Sequence, residues 1–375
     1  MDRVKISVLF LLVAGFVYAQ DYSSSLKCKS CHTKTYKQWQ KSRHALSSKE
    51  NSPIYKAMLS GHDQADVATC QKCHEPVYTL DLPEKLTQQL SGDGISCDFC
   101  HATELEPKGN EVNFKLVPGN IKFGPYKDAV AVDHSSQYSD DLSDPKFCLA
   151  CHTNRDSPHG VAFIDLEQEW RNSSYHKLNV TCQDCHMPSL SGKTAELGKI
   201  RDDVYSHQFF GGFNDAILSN CVSMKVDTLR ENNFLQVTIK LKNSSVGHGL
   251  PSGSPLRMVI LSVEGIDELN ATIWKNYTTN PIKEDPQAVF MKLLSDQNGK
   301  APVLPWNAVG ERFDSRLMPG EERIIKYKIP VALIKSIKAS LLYYIAPPPL
   351  LRELKISDPD FTQVRVINTT HLDIL

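Results

Sequence analysis

Cys97-Asp-Phe-Cys100-His101 is one of five copies of a single pattern, Cys-x-x-Cys-His, that lie between Cys28 and His186. The others are Cys28-Lys-Ser-Cys31-His32, Cys70-Gln-Lys-Cys73-His74, Cys148-Leu-Ala-Cys151-His152 and Cys182-Gln-Asp-Cys185-His186. With this Cys and His content, chance supplies on the order of 0.01 such pentapeptides per chain. The chemistry that uses the pattern is attachment of haem c. Two thiols add to the haem vinyl groups as thioethers, and the adjacent imidazole reaches the iron. Disulfide frameworks and zinc sites also pair cysteines, but neither asks for a His after every second Cys. Five covalent haems are therefore expected, with His32, His74, His101, His152 and His186 as proximal ligands. The one cysteine outside the motifs, Cys221, reads as a buried thiol.

Around the motifs, from Gln20 to about Asn214, short apolar runs are broken by Gly, Pro, Ser and Asp. Such a segment has too few apolar side chains for a core of its own, so the porphyrins must supply much of it. Folding should then be coupled to haem attachment. Short helices are expected over Tyr36–Leu46 and Asp165–Tyr175. Beyond about Ala216 the pattern changes. Val222, Met224 and Val226 alternate with polar residues, as do Leu235, Val237, Ile239 and Leu241, which is the period of half-buried strands. Further strands are expected at Met258–Val263, Ala271–Trp274, Arg323–Ile329 and Ser340–Ile345. Pro347-Pro348-Pro349 reads as the end of the last core strand, with a peripheral tail after it. The expected architecture is a multihaem cytochrome c fold of short helices and irregular loops over residues 20–215, followed by an all-β, sandwich-like domain over 216–375.

Residues 1–19 read as a secretory signal peptide: Arg3 and Lys5, an apolar run, then Val17-Tyr18-Ala19. The mature chain is expected to lack a membrane span and to be secreted, extracellular or at the cell surface, with the periplasm as the alternative. A formal charge of −1, with acids and bases mixed along the chain, excludes a nucleic-acid partner as the organising theme. Asn-x-Ser/Thr sequons begin at Asn172, Asn179, Asn243, Asn270, Asn276 and Asn368, which opens the reading of a glycoprotein.

Five irons need sixth ligands. His44, after Trp39 and Ser42, His62, shortly before Cys70, and His134, before the fourth motif, are the first candidates. His207 and His248 follow, each beside glycines that permit close approach to a flat ring. His159 and His176 complete the set, while His371 reads as a tail residue. A repeat is also present. Trp39-Gln-Lys-Ser42-Arg-His44 and Trp170-Arg-Asn-Ser173-Ser-Tyr175 share Trp-x-x-Ser, but Tyr175 stands where the first copy has His44.

At these residues the chain resembles the multihaem cytochromes related to the tetrahaem electron carrier of ammonia oxidisers. It is similar also to the OmcE-type cytochromes that polymerise into extracellular nanowires. The resemblance rests on Cys-x-x-Cys-His followed by Trp-x-x-Ser-x-His-Ala, on Gly94-Ile-Ser-Cys97, on Glu169-Trp170…Cys182-Gln-Asp-Cys-His-Met-Pro188, and on the Gly-His-x-x-Pro-x-Gly loop at His248. It implies closely stacked bis-His haems, electron transfer rather than enzymatic turnover, redox partner proteins or extracellular acceptors, and a homo-oligomer or conductive filament with haem contact between subunits. The departure is haem count, five against four in the closest types. Two alternatives stand beside this reading: a periplasmic electron shuttle, and a nitrogen-oxide type oxidoreductase with one five-coordinate haem. A third makes the β-domain a partner-binding module.

Overall fold

In the computed structural model the described residues are 22–60, 64–108, 111–117 and 119–374. The expected signal peptide and His62 lie outside them. The motif-bearing half is built from short helices and small two-stranded pieces. Several of these helices carry their own start signal. Ser96 caps Cys97–His101 by accepting the Phe99 N–H at 3.1 Å, and Thr181 and Asp184 form a capping box at the head of Cys182–His186. Asp144 and Pro145 open Pro145–Leu149, which leads into the fourth motif. Trp39 ends the helix Thr33–Trp39, shorter than the sequence pattern suggests, because the chain turns away there to bring His44 inward. Among the described residues the apolar cluster of this half is small, centred on Tyr22, Val77, Leu80, Leu90 and Phe99.

The C-terminal half is a different kind of object. Its two larger sheets are built from β1 (Val222–Glu231), β2 (Phe234–Asn243), β3 (Met258–Ile266), β4 (Thr272–Lys275), β5 (Val289–Phe290), β6 (Glu322–Pro330), β7 (Ser336–Tyr344) and β8 (Arg365–Asp373), beside a separate antiparallel pair of Lys292–Ser295 with Gly310–Asp314. One antiparallel sheet runs β6-β2-β1. The other runs β4-β3-β7-β8, with β5 pairing along β3 beside β4. Leu235, Val237, Ile239 and Leu241 of β2 are all buried at alternate positions, as the period-two pattern requires. They share one cluster with Val259, Leu261 and Val263 of β3 and with Ile337, Ala339, Leu341 and Tyr343 of β7. Each such side chain contributes about 1.5–3 kcal/mol by leaving water. Strand β3 is buried on both faces, because Met291 and Leu293 cover Met258 and Ile260 on the side away from the main cluster.

One expectation is corrected. The tail is not peripheral: after the turn at Pro347 the chain makes the helix Pro348–Glu353 and returns as β8, paired along β7 from Ser336↔Asp373 to Tyr343↔Arg365. Leu351, Ile356, Phe361 and Ile367 close that end of the core. Prolines ended one strand without ending the sheet. Cys221 is buried as expected, its thiol donating to the Ile217 carbonyl at 3.2 Å. Two sequons are structural. The Asn243 amide bonds the His248 and Leu317 carbonyls, and the Asn276 amide bonds Leu261 and Asp285 inside the fold, so neither side chain is open to a glycan.

Candidate haem sites

One continuous cavity of about 2780 Å³ runs through the motif-bearing half and reaches the β-domain. Single small-molecule pockets span roughly 300–1,000 Å³, so this space has room for several large ligands, and a fifth of it still falls in that range. All ten motif cysteines, Cys28, Cys31, Cys70, Cys73, Cys97, Cys100, Cys148, Cys151, Cys182 and Cys185, line it, with His32, His74, His101, His152 and His186.

Four proximal imidazoles face a second imidazole across the cavity. The ring centroids are 6.3 Å apart for His32 and His134, 6.1 Å for His152 and His44, 6.1 Å for His101 and His207, and 6.2 Å for His186 and His248. An imidazole nitrogen sits roughly 2 Å from a first-row metal, so two rings sharing one metal have centroids about 6 Å apart. The spacing therefore fits one iron between each pair.

Hydrogen bonds fix which nitrogen is free. Nδ1–H of His32 donates to the Thr194 carbonyl at 2.8 Å, that of His101 to Phe123 at 2.6 Å, and that of His186 to Phe210. On the opposing side His134 donates to Ser135 at 3.2 Å, His207 to Tyr205 at 3.0 Å and His248 to Gly249 at 2.9 Å. With Nδ1 occupied by a backbone carbonyl, Nε2 is left as the ligating atom and the ring orientation is set. Burial holds His44 down to about 3, and His152, His207 and His248 to about 4, with neighbouring imidazoles pushing the same way. These rings are neutral at physiological pH, the form a metal requires.

His74 differs. Tyr55 stacks on its ring at 4.3 Å and 13°, and the Tyr55 hydroxyl donates to buried Glu75 at 3.3 Å. His159 sits on an exposed turn and His176 packs edge-on against Trp170 at 4.6 Å. Neither borders the cavity, so the structure does not bring these two candidates to the others.

The repeat extends further than its sequence signature. The Trp39 indole donates to the Ile95 carbonyl at 2.8 Å and that of Trp170 to Val180 at 3.1 Å, in each case two residues before a motif cysteine. Ile95 N–H returns to the His44 carbonyl and Val180 N–H to that of Tyr175. Gly94 and Asn179, the residues just before, both have positive φ, 60° and 56°. So Gly94-Ile-Ser-Cys97 and Asn179-Val-Thr-Cys182 are equivalent, with Ser42 and Ser173 capping alike. The outcome differs at one position: His44 faces His152, whereas the Tyr175 hydroxyl donates to Ser244 at 3.0 Å in the His248 loop. At Gly94 an added Cβ would lie 2.6 Å from the His44 carbonyl oxygen and 2.9 Å from that of Ala45. Gly94→Ala is expected to cost about 1–2 kcal/mol in left-handed backbone strain and a further ~1–3 kcal/mol from overlap. Chemical unfolding of the haem-loaded protein measures this, and an unchanged midpoint would contradict it.

Cysteines of different motifs also meet: the side chains of Cys28 and Cys97, of Cys73 and Cys151, and of Cys148 and Cys182 are in contact, so haems attached there would lie with those edges adjacent. Phe209 lies 4.2 Å from His44 and 5.9 Å from His207, bridging two of the imidazole pairs.

Residues 27–102 match the family described as cytochrome c554 and c-prime. The fold as a whole is similar to that of a penta-heme cytochrome c552 from Thermochromatium tepidum, with a TM-score of 0.77 at 22% identity over 94% of this chain and 99% of that one. The fold is thus that of a pentahaem cytochrome, and motifs, cavity and family match together support a multihaem c-type cytochrome that carries haem c.

Proposed function

We propose that the chain carries electrons through five haems, four of them bis-His ligated by His32 with His134, His152 with His44, His101 with His207, and His186 with His248. The observation that carries this reading is the set of facing imidazoles at 6.1–6.3 Å. Haem supplies the redox chemistry; the chain sets spacing, burial and axial ligands, and so the potentials. Contacts between motifs support an order: the first haem would adjoin the third at Cys28 and Cys97, the third the fourth across Phe209, and the fourth the fifth at Cys148 and Cys182. The second would adjoin the fourth at Cys73 and Cys151. The two sheets that share one core are read as a sandwich whose His248 loop completes the fifth site.

Low-temperature EPR of the oxidised protein tests the ligation: at least four of five haems are expected low-spin. High-spin signal from two or more would overturn it. The resemblance in sequence favours an extracellular or cell-surface filament over a periplasmic shuttle. Negative-stain microscopy separates them, and monodisperse small particles under all conditions would end the filament proposal. Export rests on the signal-like first residues; among the described residues no helix is long and apolar enough to cross a membrane.

A second reading has a specific observation behind it. Among the described residues Tyr55, bonded to Glu75, is the ring that stacks on His74, where the other four motif histidines face an imidazole. A small-molecule oxidoreductase would place its open iron there. High-spin signal from one haem, altered by nitric oxide, would favour it; five low-spin haems would remove it.

A further inference from the structure

The loop at residues 244–253 belongs to the β-domain, yet its His248 faces His186 in the haem half. Something must hold an imidazole from one half in register with a motif from the other. The contacts around the loop single out Glu169. One carboxylate oxygen accepts the Gly249 N–H at 2.9 Å and the Ser252 hydroxyl at 2.7 Å. The other accepts from the Arg316 guanidinium. Gly249 is the residue whose carbonyl receives Nδ1–H of His248, so the glycine held by Glu169 is also the one that orients the ring. Tyr175, on the next helix Ser174–Lys177, supports the loop by its bond to Ser244, and its ring lies 3.4 Å from where a Cβ on Gly247 would be. In the first copy of the repeat the segment after Trp39 supplies a facing imidazole itself. In the second copy the residues flanking Trp170 grip a loop that supplies it.

We propose that Glu169 is the positioning residue for His248: its carboxylate clamps the loop so that Nε2 of His248 is presented to the iron of the fifth haem. The inference rests on the reading that His248 is that haem's sixth ligand. A merely apolar side chain at 169 could fill the space without meeting the Gly249 and Ser252 donors, and those donors are buried. Without an acceptor the loop relaxes towards water and the ligand leaves with it.

The test is EPR and visible spectroscopy on three variants of the full haem-loaded chain. E169A is expected to show new high-spin ferric signal from one haem of five, with all five haems retained by pyridine haemochrome assay, and added imidazole should restore the low-spin form. E169Q keeps an amide oxygen that can accept from Gly249 and Ser252, and should stay largely low-spin. H248A should reproduce the E169A spectrum. A low-spin fifth haem in E169A beside a high-spin one in H248A overturns the positioning role alone. No new high-spin signal in H248A overturns the ligand reading beneath it. Should E169A fail to accumulate, Ser252→Ala removes a single donor, and the same signal at a smaller fraction is expected. Its absence there overturns the proposal.

Discussion

Made in a host that does not attach haem, the chain is expected to lose nearly all fixed structure over residues 22–215 while residues 222–373 keep their sheets. The reason is a difference in what each half can bury. The β-domain has a cluster running through both sheets, with Val237, Ile239, Leu241, Leu261, Val263, Ile329 and Ile337 essentially inaccessible. The haem half has the small group around Tyr22, Val77, Leu90 and Phe99. Fixing each backbone residue costs about 1–2 kcal/mol, and helices of four to seven residues such as Ser25–Cys28, Thr33–Trp39 and Cys97–His101 are far below the ~12–15 residues that stand alone in water. Porphyrin contacts have to supply the difference. Hydrogen exchange of the haem-free chain should show protection confined to β1–β3 and β6–β8, with Cys97–His101 and Cys182–His186 exchanging freely. Slow exchange at those two helices without haem would sink the argument.

The sequence made the cofactor legible because thioether attachment demands five consecutive positions, a local code. The strands were legible for a similar reason: β2 alternates Leu235, Val237, Ile239 and Leu241 against polar neighbours, and burial follows that alternation. What faces each proximal His is not local. His44 follows the first motif but faces His152 of the fourth, and His248 crosses from another half of the chain. Only the closed fold makes those distances, so local neighbours could rank His134 and His207 above His159 and His176 but could not remove the latter two from the set. The repeat shows the same limit. Trp-x-x-Ser was readable, but the equivalence of Gly94 and Asn179 rests on a shared backbone angle, which residue identity conceals. The role of Glu169 had no sequence signal beyond its place before Trp170, because its partners Gly249 and Arg316 are far away in the chain.

Arg316→Met is expected to destabilise the haem-loaded protein by roughly 3–5 kcal/mol, the range for breaking a buried ion pair from one side. Arg316 is 6% exposed and is surrounded by carboxylates: Glu169 on one arm, Asp314 on two nitrogens at 2.7–3.1 Å, and Asp165 at 3.6 Å. Lys292, also buried, shares Asp165 and reaches Glu311 at 3.4 Å. Methionine matches much of the volume but leaves Glu169 and Asp314 without their principal cation. Acid should erase the difference. Burial alone would raise the Asp314 carboxyl, but the Arg316 bonds and charge outweigh it and hold the carboxyl below its usual range. A group depressed in the folded state stabilises above its unfolded value and loses that contribution as pH falls through the folded one. The wild type therefore weakens in acid, below about pH 4, whereas the variant has no Arg316-held depression of Asp314 left to lose. Urea unfolding of both proteins from neutral pH downward measures the gap. It should be largest near neutrality and shrink in acid; a gap that is constant with pH, or under about 1 kcal/mol throughout, would show that the cluster is solvated and that Arg316 does not hold the two halves of the chain together.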